Sequence, residues 1–141
     1  MIAALPIRRS VTRVSPPQVA ICALVGATAL VHLMLGAMTS TMLATQPEQV
    51  ASMGGATALS VMAALFYCNF AGYVVLGTAL YVPALRRFRP VTRWALMGYT
   101  ALTVAAYFAL AVGHYDAFGL SDKACEVALI ALLAIEGRRS R

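Results

Sequence analysis

Residues 82–93 read VPALRRFRPVTR, and they decide the fold because they hold Arg86, Arg87, Arg89 and Arg93 between two long uncharged apolar runs. Two more clusters lie toward the chain's ends, Arg8, Arg9 and Arg13 on one side and Arg138, Arg139 and Arg141 on the other. Ten of the eleven basic residues are therefore arginines in three groups. A chain crossing a bilayer an even number of times between clusters puts every group on the cytoplasmic side, as the positive-inside rule requires.

Composition points the same way. With 61% hydrophobic and 11% charged residues, the 141-residue chain has too little polar surface to clothe a water-soluble globule, so lipid is expected as its solvent. The formal charge of +6 sits on arginines beside apolar spans, where anionic headgroups account for it, and nucleic acid is not an expected partner. Cys22, Cys68 and Cys125 lie in apolar segments at three depths without a C-x-x-C partner. They are expected as small packing residues rather than as a disulfide. The first 17 residues, MIAALPIRRSVTRVSPP, start like a signal peptide. The apolar run that follows exceeds a signal core of about 7–15 residues, so it is read as an uncleaved first span.

A helix needs about 20 apolar residues to cross the hydrocarbon core, and the chain offers four candidates: 19–43, 56–82, 94–115 and roughly 120–135. The expectation is an all-α fold, one transmembrane domain over 1–141, arranged as an up-down-up-down four-helix bundle in the plasma membrane with both termini cytoplasmic. Pro16-Pro17, Pro47, Gly54-Gly55, Pro83, Pro90, Gly113 and Gly119 punctuate the boundaries. Tyr81, Phe88 and Trp94 at the inner edge, with Tyr115 and Phe118 at the outer, suit interfacial aromatic belts. On the first span Cys22, Gly26, Ala29, Gly36, Ala37 and Ser40 share one side, which predicts a small-residue packing face.

Few polar side chains remain to carry chemistry. His32 lies near the middle of the first span, and Asn69 lies at the matching depth on the second. A buried polar group in lipid needs a partner, so a hydrogen-bonded His32–Asn69 pair, with Tyr73 as the other available partner, is expected inside the bundle. A single-histidine haem or chlorophyll on His32 is the sharper alternative. A bis-histidine haem is not expected, because His114 lies about 10 Å or more from His32 along the membrane normal. Thr100, Thr103 and Tyr107 form a polar stripe on the third span that climbs toward His114. Beside it come Asp116, Asp122, Lys123 and Glu126, predicting a polar cluster at an outer mouth. Ser121 is expected to cap the fourth helix, with Asp122 favourable at its positive end; a start near Ala117 instead would place Asp122, Lys123 and Glu126 within the outer headgroup boundary or below it. No metal site is expected, since no spacing matches H-E-x-x-H or a similar ligand set.

The motifs Val31-His32-Leu33-x-Leu35-Gly36 and Asp122-Lys123-x-x-Glu126-Val127-Ala128-Leu129-Ile130, with residues 93–107, resemble a set of small four-helix integral membrane proteins of bacteria and haloarchaea that have no assigned activity. The resemblance implies four helices and points to His32, Asp122, Lys123 and Glu126. It implies no function.

The functional expectation is a non-catalytic accessory or structural subunit of a larger membrane complex, with lipids and other membrane-protein subunits as partners, because mostly apolar helices without a ligand motif leave packing as their main physical content. Two alternatives stay open. One is a small oligomeric transporter or channel with an acidic outer mouth; the other is a tetrapyrrole-binding redox or photosynthetic subunit using His32. An enzyme built on His114 and Glu126 shows no activated nucleophile, so no catalytic residue is assigned. The topology predicts that reporters fused at Gly54 and at Arg141 report opposite sides of the membrane; the same side for both would break the even-crossing argument.

Overall fold

Proline and glycine set the helix ends. In the computed structural model, which describes residues 15–110 and 115–139, Pro16 and Pro17 open α1 (Pro16–Thr45). There the Ser15 amide donates to the Gln18 side chain at 3.0 Å, satisfying one donor that a helix start leaves free. Pro47 opens the six-residue α2 (Pro47–Ser52). Gly54 and Gly55, at φ 97° and 88°, make the left-handed turn into α3 (Gly55–Tyr81) that a side chain would resist. A 3-10 turn (Pro83–Phe88) leads to α4 (Arg89–Leu110), and α5 (Ala117–Arg139) ends the described chain. Among the described residues everything ordered is helix, with no strand.

The helix boundaries depart from the expected spans at two places. The arginine stretch is not all loop: Arg89 and Arg93 lie in the first turns of α4, where Pro90 is tolerated because its missing amide would have no partner. The fourth helix is 23 residues rather than about 15, near 34 Å at 1.5 Å per residue. Asp116, not Ser121, caps it: the Asp116 carboxylate accepts from the Gly119 amide at 2.6 Å, while the Ser121 hydroxyl donates back to the Ala117 carbonyl.

Each long helix presents an inward stripe of four- and three-residue steps, alternating throughout on α3, α4 and α5 and up to His32 on α1. On α1 it runs Ile21, Val25, Thr28, His32, Gly36; on α3, Leu59, Ala63, Phe66, Phe70, Tyr73, Gly77, Leu80. On α4 it runs Leu96, Thr100, Thr103, Tyr107, and on α5 Asp122, Glu126, Leu129, Leu133, Glu136. A 3.5-residue repeat keeps a seam facing its neighbours along the whole helix, as in left-handed bundles. The four helices close a ring in which α1 and α4 each pack between α3 and α5. Val25 meets Gly77, His32 meets Tyr73 and Ser40 meets Tyr67, so α1 and α3 run antiparallel. At one end Arg89, opening α4, reaches Glu136 near the close of α5 at 2.7 Å and lies over the ring of Tyr81, which ends α3. Ile21, Val25, Ala29, Tyr73, Leu80, Leu96, Leu129 and Leu133 form the core beneath.

Large apolar side chains also face outward, among them Leu30, Val75 and Leu102, each about two-thirds exposed. α1 and α3 are long and apolar enough to cross a membrane. The small-residue face of α1 is not the packing face: Ala29 and Gly36 turn inward, while Cys22, Gly26 and Ala37 turn out and Ile21, Val25 and Thr28 take their place. Cys22 and Cys68 are likewise exposed rather than packed.

A Cβ added at Gly77 would meet Val25 Cγ1 at 2.5 Å, and a valine in a helix has one favoured rotamer, so it cannot turn away. Gly77→Ala is expected to lose about 1–3 kcal/mol through overpacking. Gly98→Ala, with nothing within 4 Å of the new methyl, should gain up to about 1 kcal/mol from helix propensity. Denaturant unfolding in detergent measures both; equal effects would contradict the α1–α3 contact.

Candidate functional site

The α5 seam carries Asp122 and Glu126 at the same register as Leu129 and Leu133, so its carboxylates must face the centre of the ring. Glu126 has no exposed surface. Lys123, one residue off the seam, folds inward: its Nζ lies 2.9 Å from Asp122 Oδ2 and 2.7 Å from Glu126 Oε2, and the residue is only 6% exposed. The other Glu126 oxygen, Oε1, accepts the Tyr73 hydroxyl proton at 2.9 Å. That bond spans the diagonal of the ring, from α3 to α5. Thr103 of α4 touches Tyr73 Oη at 2.9 Å, and its own proton is shared between that oxygen and the Thr100 carbonyl at 2.8 Å.

His32 brings the fourth helix in. Its Nδ1 donates to the Thr28 carbonyl at 2.9 Å, since a carbonyl can only accept. Its ring sits 5.7 Å from that of Tyr73 and 6.2 Å, edge-on, from Phe66. A ring nitrogen of His32 and one oxygen each of Asp122 and Glu126 lie within 4.8 Å of one another. All four long helices thus contribute to one buried cluster, in which two carboxylates face one ammonium. Formally that leaves one negative charge in excess. Asp122 Oδ1, Thr28 Oγ1 and Tyr107 Oη are buried without a hydrogen-bond partner among the described residues.

The cluster sits deep. Glu126 is ten residues above Glu136 on α5, about 15 Å at the helical rise. The expected mouth is therefore divided. Asp122, Lys123 and Glu126 belong with His32 in the middle, whereas Asp116 is exposed and caps α5, and His114 lies outside the described residues. The polar stripe of α4 does face inward: Thr100 and Thr103 are buried, and Lys123 Nζ lies 5.6 Å from the Tyr107 ring centre. The His32–Asn69 pair is not formed. Asn69 Oδ1 instead accepts from Tyr99 Oη at 2.9 Å, tying α3 to α4, because Asn69 lies beside Phe70 of the seam, on the edge of α3 that meets α4. The His32 ring lies tilted against that of Tyr73, with two carboxylates near one of its nitrogens.

Residue types alone did not assign Tyr73 as the donor to Glu126, nor the Arg89–Glu136 pair. The 3.5-residue repeat on α3 and α5 was the signal that reaches the first of these. Two surface grooves among the described residues are lined by none of the cluster's side chains. One runs between α4 and α5 past Arg93, Trp94 and Gly137; the other, of about 500 Å³, runs between α1 and α3 past Cys22, Gly26 and Gly77. No protein-family model, curated protein or solved structure matches the chain.

Removing the Tyr73 hydroxyl leaves Glu126 Oε1 buried without a donor, so Tyr73→Phe is expected to destabilise the protein by about 1–3 kcal/mol. Tyr99→Phe, whose hydroxyl is less buried, should cost less. Equal unfolding free energies for the two variants would refute the cross-bundle bond.

Proposed function

We propose that the chain is a four-span integral membrane protein of the cytoplasmic membrane, with both termini and the arginine-bearing turn on the cytoplasmic side, that moves a small cation through its buried cluster. The observation that carries this reading is Glu126: a carboxylate with no exposed surface, at the centre of a helix ring, beside Asp122, Lys123 and His32. Ionisable groups at such a depth are costly in lipid and mark ion or proton pathways. The excess of one carboxylate over the ammonium favours a positive guest. Support for four spans comes from outward-facing Leu30, Val75 and Leu102, from the length of α4 and α5, about 33 and 34 Å, and from the way α5 turns its acidic side chains inward. A ring of four helices is too narrow for an open water-filled pore, so the cation is bound and released rather than conducted, and an oligomer is the natural working form.

A second reading, an accessory subunit of a larger membrane complex, is favoured by one feature. The exposed strip of Cys22 and Gly26 on α1, with nothing within 4 Å of a Cβ at Gly26, is the small-residue surface on which membrane helices associate. Reconstitution in lipid vesicles separates the two. Cation flux followed with ion-sensitive dyes should be present for the wild type and lost in Glu126→Gln, with helicity and elution profile unchanged. No flux for protons, sodium, potassium or divalent metals, with one large partner co-purifying in gentle detergent, would replace transport by the subunit reading.

A further inference from the structure

We infer that His32, Asp122 and Glu126 form a binding site for a divalent first-row transition-metal ion, with the Lys123 ammonium as its tethered competitor. This names the cation class for the cluster and rests on reading it as a cation site. The three ligand atoms lie within 4.8 Å of one another. Metal bonds of about 2.0–2.2 Å place ligands about 3–4 Å apart, so side-chain shifts of about 1 Å close the site.

Each ligand is already held as a ligand should be. With its Nδ1 proton given to Thr28, His32 keeps the Nε2 lone pair for a cation; this is the outer bond that commonly orients ligating histidines. Tyr73 fixes one Glu126 oxygen and leaves the other to Lys123. Asp122 Oδ1, on a residue 8% exposed, has no partner among the described residues and is the unmet acceptor of the cluster. One imidazole with two carboxylates suits manganese, iron, cobalt or zinc; magnesium and calcium prefer oxygen alone.

Lys123 has two places to be. Its ammonium now bridges Asp122 and Glu126, and 5.6 Å away stands the ring of Tyr107, whose hydroxyl is buried and unpartnered among the described residues. When a divalent ion takes the carboxylates, their two charges are balanced without the ammonium, which swings farther onto the Tyr107 ring that it already faces at 5.6 Å, toward the Tyr107 hydroxyl. Gly119 keeps Tyr107 close to α5, since a Cβ there would meet Tyr107 Oη at 2.5 Å.

Cobalt(II) titrated into the full-length protein in detergent provides the test, read by visible absorption and by the metal-dependent shift in unfolding temperature. The wild type should develop d–d bands that magnesium and calcium do not displace, zinc should displace them, and His32→Gln should lose them. Lys123→Met should bind cobalt at least tenfold tighter than the wild type. Absence of bands in the wild type up to millimolar cobalt overturns the site, whether or not Lys123→Met folds; equal or weaker binding by a folded Lys123→Met overturns the competitor role. Cobalt binding without flux in vesicles would remove transport and leave the site standing. Flux of protons or monovalent ions without cobalt bands would remove the metal and leave transport.

Discussion

The bridge from Lys123 to Asp122 and Glu126 is the interaction on which the rest of this structure depends. A carboxylate with no exposed surface cannot remain ionised in a low-dielectric interior unless opposite charge and hydrogen-bond donors replace its water. Lys123 supplies the charge from the same helix, so the pair forms as soon as α5 forms. Tyr73 supplies the donor from the opposite helix, so it forms only when the ring closes. The cluster thereby makes one helix packing right and its alternatives costly: sliding α5 by one residue would carry Glu126 off the seam and leave both Tyr73 and the carboxylate unsatisfied.

The second constraint is the outward apolar surface. Side chains such as Leu30, Val75 and Leu102 face away from the ring, while threonine, tyrosine, histidine and carboxylates face in. Lipid would favour this arrangement and water would not, because lipid would satisfy the apolar groups while the bundle satisfies the polar ones. With no hydrophobic drive between helices in such a solvent, close packing and internal hydrogen bonds must hold them together. Gly77 against Val25 and Gly36 against Tyr67 supply the packing, and the Tyr73, Tyr99 and Arg89 contacts supply the bonds.

Buried polar groups gather at two levels of the ring, its arginine end and its centre. At the arginine end, Arg89, Glu136 and the Tyr81 ring lock α3, α4 and α5 together, with a charge pair that is only partly exposed. At the level of His32 the polar groups are more numerous, and Asp122 Oδ1 and Tyr107 Oη lack hydrogen-bond partners among the described residues, as Tyr81 Oη, Arg89 Nε and Glu136 Oε2 do at the arginine end.

Much of this was legible in the residues themselves. Arginine clusters, proline and glycine positions and apolar run lengths located four long helices, because each reports on a local preference that tertiary context rarely overrides. That Thr100, Thr103 and Tyr107 share a face was also visible, since helical spacing alone puts them there; that the face turns inward was not. What escaped was the depth and partnership of the charged groups. Asp122, Lys123 and Glu126 look like the ordinary start of a helix when a span is judged by its uncharged length, and that judgement trimmed α5 to about 15 residues and set its acids at a mouth. His32 and Asn69 match in depth but not in facing, so only the rotation of α3 about its axis could decide that Asn69 meets Tyr99. Which helices touch, and which of a helix's faces turns inward, depend on contacts between residues far apart in the chain. Those were settled by the ring of four helices closing around a carboxylate that needed a lysine, a tyrosine and a histidine near it.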